Sequence, residues 1–260
     1  MYRSFVFFAI VLLLGLTACE KVIDLDFGTT SSQLVIQGTV FDQPGPYTVR
    51  LIRSVDMDAA GVYPFVTGAT VTISDNAGHS EQLAEGDSGR YTTSTLRGVP
   101  GRTYTLTVKT GGKTYTAVST MPAPIEIDTA YVGMLYNTDF YQVTVDLKDP
   151  SPDSTNYFRF VDFNNGKELG GSYFVIGNDY LNSKPIVHCT LQYTPDMLTH
   201  GGAYTVWVES IDETSYTYFN TFNLNNEDSA SPSNPETNLS NEALGYFNAC
   251  AVRKVTVTIP

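Results

Sequence analysis

The sequence of 260 residues holds three cysteines, three histidines and one tryptophan, and sets only 15 Lys+Arg against 27 Asp+Glu. A formal charge of -12 excludes a broad nucleic-acid surface, which needs clustered Lys and Arg to displace counterions. Charged residues make up only 16% of the chain, too few for an acidic disordered tail or a long charged coiled coil. No HExxH, CxxC, P-loop or GxSxG pattern occurs. The local signatures of a zinc peptidase, a thiol centre, a phosphate cradle and a serine-hydrolase elbow are therefore missing. Past residue 18 no apolar run approaches the ~18 residues that a transmembrane helix requires.

What is present begins with an address. Arg3 precedes the apolar run Phe5–Leu16, which has the length of a signal-peptide core and is too short to span a bilayer. The run closes in Leu16-Thr17-Ala18-Cys19, the lipobox pattern in which small residues fit the peptidase and a thiol takes the lipid thioether. Residues 1–18 read as a lipoprotein signal peptide, with Cys19 as the lipidation site and new N-terminus. Acyl chains on Cys19 would anchor the chain to a membrane at ~0.8 kcal/mol per buried CH2. Residues 19–33 read as a tether. Glu20, Asp24 and Asp26 crowd its start, a pattern that in some Gram-negative lineages directs lipoproteins to the outer face of the outer membrane.

From Leu34 onward apolar residues alternate with polar ones between turn signals, the mark of antiparallel strands with one buried face. Strands are expected at Leu34–Val40, Tyr47–Leu51, Ala69–Ser74, Ser80–Leu83, Tyr91–Thr95, Thr103–Lys109 and Lys113–Thr120. Asp75-Asn-Ala-Gly78 and Gly111-Gly112 mark two of the turns. That density of strands within residues 34–120 fits a β-sandwich. The Pro-rich stretch 121–124 reads as a linker. Residues 125–260 then read as a second β-rich domain, with strands near 130–135, 140–147, 157–163, 172–176, 185–191, 203–211 and 244–259. The segment 212–224 fits either a helix or a strand. Ser210-Ile-Asp-Glu213 has the form of a capping box, which favours helix. Residues 225–240 read as a long loop.

The chain resembles the bacterial lipoprotein family catalogued as domain of unknown function 4249. The resemblance rests on Cys19–Asp26, Gln43–Leu51, Gly68–Asp75, Gly98–Leu106, Gly112–Ala117 with Met121-Pro122, Phe160–Gly166, Val208–Asp212, Ser233–Pro235 and Gly245–Phe247. It implies a mainly β fold of two sandwiches, the first immunoglobulin-like or carboxypeptidase-regulatory-like, and a strand followed by one short helix over Val208–Leu224. It also implies an accessory lipoprotein near a TonB-dependent outer-membrane receptor, active in nutrient uptake. It supplies no catalytic or binding residue.

The residues themselves offer little chemistry. His79, His188 and His200 stand at no metal-ligand spacing, and no cofactor or metal is expected. Glu81 with Glu85, or Asp139 with Asp146, offers carboxylate pairs, but a glycosidase pair is defined by separation in space. The acidic loops at 149–153 and 225–228 lack the spacing of a calcium loop. With Cys19 lipidated, Cys189 and Cys250 either pair in a disulfide or stay as two buried thiols. Tyr173, Phe174, Tyr180, Tyr193, Tyr204, Trp207, Tyr216 and Tyr218 offer rings for sugar stacking or for ordinary strand cores. The expectation is a non-enzymatic, lipid-anchored outer-membrane accessory protein. The alternatives are a stand-alone carbohydrate- or peptide-binding lipoprotein and a carboxylate-based hydrolase.

Overall fold

The computed structural model describes residues 32–55, 63–137, 140–148, 156–170, 173–177, 186–193, 198–224 and 233–260, without the side chains of 192 and 193. The lipobox, Cys19 and most of the tether lie outside the described residues. So do Asp139, the loop 149–153, Tyr180 and residues 225–232, while Tyr193 is described in backbone only.

In chain order the described strands are β1 (Leu34–Phe41), β2 (Thr48–Arg53), β3 (Thr70–Asp75), β4 (Ser80–Gln82), β5 (Ala84–Glu85), β6 (Arg90–Thr92), β7 (Thr103–Thr110) and β8 (Lys113–Thr120). They continue with β9 (Glu126–Met134), β10 (Tyr141–Lys148), β11 (Tyr157–Asn164), β12 (Lys167–Glu168), β13 (Phe174–Ile176), β14 (Ile186–Tyr193), β15 (Ala203–Ile211) and β16 (Leu244–Thr258). One helix, α1 (Glu213–Leu224), follows β15. Among the described residues the fold is mainly β with one α-helix, arranged as sandwiches.

The backbone of the body is a nine-stranded sheet ordered β12-β11-β15-β16-β1-β2-β6-β5, with β13 also paired to β11. Strand β16 is its axis, because alternate residues of one strand serve two opposite faces. Phe247, Ala249 and Ala251 enter a core with Val71, Ile73, Leu106, Val108 and Ala117 from the four-stranded sheet β4-β3-β7-β8. Val255 and Val257, further along the same face, enter a second core with Val143, Val145, Val187 and Leu191 from the three-stranded sheet β14-β10-β9. On the opposite face Cys250 and Val252 meet Tyr218 and Phe219 of α1. One long sheet thus carries two smaller sheets side by side on one face and the helix on the other. Residues 34–120 and 125–260 share this long sheet through β16, which pairs with β1 in parallel over 244–250 and with β15 antiparallel over 251–258.

The parallel pairing is tight where it begins. Gly245 has φ +96, and a Cβ there would collide with the Ile36 carbonyl, so only glycine fits. The remaining edge of the first half of β16 is satisfied by side chains. Thr237 Oγ1 donates to the Gly245 carbonyl at 2.7 Å. The Asn238 amide acts as a substitute peptide, donating to the Phe247 carbonyl at 2.7 Å and accepting from its N–H at 3.0 Å. Ser119 Oγ accepts from the Ala249 N–H at 2.9 Å. The same segment closes the free edge of β8, where Ser240 N–H donates to the Thr116 carbonyl and Asn241 Nδ2 to that of Thr114. The described part of the expected long loop is therefore a docked wedge between the two sheets.

Replacing Asn238 with Leu leaves both polar groups of buried Phe247 without their partner. Each unsatisfied group costs about 1–3 kcal/mol, so urea denaturation should show a loss of about 2–4 kcal/mol. Asn238→Asp, which keeps the acceptor and loses the donor, should fall between Leu and the native residue.

Candidate functional site

Helix α1 begins where the sequence expects a helix, but with a different cap. Asp212 Oδ1 accepts from the Ser215 N–H at 2.9 Å and from Thr214 Oγ1 at 3.1 Å, the geometry of an N-cap. Ser210 sits in β15, fully buried, and its Oγ accepts from the Ile125 N–H at 3.1 Å. The expected capping box is therefore corrected: the hydroxyl at 210 is committed to the start of the second half, and the cap moves two residues on. Asp212 Oδ2 also accepts from Ser119 Oγ at 2.7 Å and from the Thr120 N–H at 2.9 Å. One carboxylate thus starts the helix and fixes the end of β8.

Beneath α1 lies a charged pair. Arg159 of β11 and Glu209 of β15 face each other in register, with Nη1 donating to Oε2 at 3.2 Å. Both side chains are more than 90% buried. The guanidinium carbon lies 4.8 Å from the Tyr173 ring centre and 4.3 Å from that of Phe219, a desolvated cation–π arrangement. Tyr218, Phe219 and Tyr246 complete the aromatic layer with ring centres 4.9–5.4 Å apart. Burial pushes the Glu209 carboxyl up, and the Arg159 charge pulls it back. Among the described residues Arg159 Nε has no hydrogen-bond partner. A cavity of about 290 Å³ borders the pair, lined in part by Arg159, Asp162, Glu168, Tyr173 and Phe222. A lone Arg inside the apolar run Phe158–Val161 and a lone Glu after Val208 were the available signals for this pair, and composition alone did not single them out.

A second cleft, about 360 Å³, lies at the far end of the four-stranded sheet. Asp75, with a buried side chain, accepts from the Ala77 and His79 N–H groups, and pairs with Arg102 Nη1 at 2.8 Å and His79 Nδ1 at 3.0 Å. Glu81 accepts from the N–H groups of Ser94, Thr95 and Leu96 and from the Ser94 and Thr95 hydroxyls. Burial opposes ionisation at both carboxyls, but these donors outweigh it and hold each at about 2. Groups so acidic and so fully engaged hold loops in place; they are poor proton donors near neutral pH.

The other expected residues disperse. Glu85 is committed to the Gly68 N–H, so it forms no pair with Glu81. Asp146 pairs across the sheet with exposed His188 at 2.6 Å. His79 is engaged by Asp75, and His200 lies in an exposed turn. Among the described residues no group of three or more His, Cys, Asp or Glu is placed to hold a metal. Of the two arrangements open to Cys189 and Cys250, the structure has two free buried thiols. They fall in different cores, Cys189 on β14 of the three-stranded sheet and Cys250 on β16 against the helix. Burial pushes the Cys189 thiol up to about 12 and that of Cys250 well above its ordinary value, so both are poor nucleophiles. Tyr204 and Tyr218 are core residues, Tyr173 and Phe174 are half-buried, and Tyr157 stacks on Tyr216. Trp207 lies under Lys254, whose Nζ sits 3.7 Å from its ring centre.

Among the described residues fold and site define a mainly β scaffold with one α-helix, whose buried carboxylates are engaged within the protein. The sequence match makes the class specific: the family described as Domain of unknown function (DUF4249) matches residues 20–256, and the chain belongs to it. No curated protein matches the sequence. Among solved structures, the adhesin InvE of Yersinia pseudotuberculosis is similar at 16% identity and a TM-score of 0.22. That match covers 89% of this chain and 61% of the InvE chain, and at this score it carries no argument.

Glu209→Gln should cost about 3–5 kcal/mol in denaturant unfolding, because it leaves the Arg159 charge buried without a counter-ion. Adding Arg159→Met should recover most of that loss. A separate consequence concerns acid. Asp75 and Glu81 have folded values below the ordinary 3.8 and 4.5. Their contribution is thus complete above those ordinary values and is lost as pH falls toward about 2. Between about pH 5 and 2 the native chain should lose stability faster than Asp75→Asn/Glu81→Gln, measured by urea midpoints across that range.

Proposed function

We propose that this chain is a non-enzymatic, lipid-anchored lipoprotein of the outer membrane that serves as accessory or binding partner to a TonB-dependent receptor in nutrient uptake. The observation that carries the reading is Leu16-Thr17-Ala18-Cys19 at the end of a signal-length apolar run. Acyl chains on Cys19 hold the protein at the membrane, and the acids at 20, 24 and 26 suit transfer to the cell surface. Membership of the family supports the reading. The site geometry is consistent with it: carboxylates held at about 2 and deeply buried thiols suit a rigid binding body better than a turnover site.

Metabolic labelling with an alkyne fatty acid in a Gram-negative host should mark the native chain and not Cys19→Ala. Outer-membrane fractions solubilised in mild detergent should yield the labelled protein together with a large β-barrel receptor. A free monomer, with the receptor recovered elsewhere, would favour the stand-alone binding reading.

A further inference from the structure

Two carboxylates beside a cleft ordinarily point to a cation, but the cleft at Asp75 and Glu81 is arranged against one. Each Glu81 oxygen already accepts from three donors among the N–H and hydroxyl groups of Ser94, Thr95 and Leu96. Asp75, its side chain 1% exposed, is filled by Ala77, His79 and Arg102. Neither carboxylate has an oxygen left for a metal or an ammonium group. What the lining side chains still have to offer is donors. Arg97 is exposed, and its guanidinium makes no ion pair among the described residues. Arg102 spends Nη1 on Asp75 and keeps Nε and Nη2. Ser80 adds a hydroxyl with no partner among the described residues.

The loop that presents Arg97 is fixed before any ligand arrives. Glu81 holds the N–H groups of Ser94, Thr95 and Leu96. The Gly98 N–H donates to the Tyr47 hydroxyl at 3.0 Å, and the Val99 N–H to the Tyr104 hydroxyl at 2.7 Å. Of the N–H groups from 94 to 99, only that of Arg97 has no acceptor among the described residues. A guanidinium fork and an unspent backbone N–H on one residue suit the two oxygens of a carboxylate. The wall beside them is aliphatic. Leu96 is buried, Val99 is exposed, and no Tyr, Phe or Trp lines the cleft among the described residues. A sugar acid would find no ring to stack on, whereas a branched side chain would find Val99. The volume of about 360 Å³ lies at the small end of the ~300–1,000 Å³ range of ligand pockets.

We propose that this cleft binds a small aliphatic carboxylate, the chemistry found at the C-terminal residue of a short peptide. Arg97 forks the carboxylate, Arg102 and Ser80 complete the donor set, and Val99 packs against the aliphatic part. The site adds a ligand to the chain and depends on neither the membrane anchor nor a receptor.

Titration of the full chain, purified from membranes in mild detergent and followed by heteronuclear NMR, tests it. The probes are acetyl-alanyl-valine, its C-terminal amide, isovalerate, galacturonate and inorganic phosphate. Acetyl-alanyl-valine should saturate with a Kd on the order of a millimolar, and the amide should bind about tenfold or more weakly. Arg97→Gln should weaken the acid by a similar factor. Arg97→Lys should fall between, because lysine keeps the charge and loses the fork. Lys113→Gln removes an exposed charge at the opposite end of β7 and β8 and should leave the affinity unchanged. The thermal midpoint of each variant should stay within about 2 °C, as for other exposed positions. Isovalerate binding as tightly as the peptide supports the site as a receiver of free acids, and weaker binding supports a peptide terminus. Equal affinity for acid and amide, or undiminished affinity in Arg97→Gln, overturns the proposal. So does tighter binding of galacturonate or phosphate, or no binding of either aliphatic carboxylate.

Discussion

The body depends on the pairing of β16. Its first half leans on β1 in parallel and its second half on β15 antiparallel, so a single strand carries hydrogen bonds to elements from both ends of the sequence. Its alternation places Phe247 in one core, Val257 in another and Cys250 in a third. No other described strand enters all three. The two small sheets and the helix are positioned by packing on it, and their relation to one another follows from its pleat.

Polar side chains finish what the ladders leave open. Ser119, Asp212, Asn238 and Ser240 link β8, α1 and β16, and all of these bonds but that of Asn238 to Phe247 join residues far apart in sequence. These contacts sit where β8, the segment ending at Ser240 and the first half of β16 meet, so hydrogen-bond specificity acts at that seam beside the apolar core. The Arg159–Glu209 pair extends the pattern beneath the helix. A buried ion pair adds little net stability over an apolar pair of the same size, but an unmatched charge there is costly.

Much of this was legible in the sequence because period-two alternation is a local property. Leu34, Ile36 and Val40 announce β1, and Ala203–Ile211 appears as the strand expected there. The helix was legible only in part: the Ser210–Glu213 box favoured it over a strand, but the residue that caps it is Asp212. The sharing of β16 was not legible. The expected boundary at 121–124 follows from two prolines, which describe the local backbone and say nothing of whether strand 244–258 returns to pair with strand 34–41. The same limit hid the carboxylate geometry: Glu81 and Glu85 are neighbours in sequence, yet one is spent on the loop at 94–96 and the other on Gly68.

The parallel pairing of β1 with β16 also has a temporal side. The strand that opens the body cannot find its neighbour until the strand that closes it exists, a contact some 210 residues apart, as the Asp42–Val252 bond at its end illustrates. Contacts this distant in sequence form late and slow the acquisition of structure. A chain delivered amino-terminus first would therefore complete the long sheet only once its last strand had been delivered.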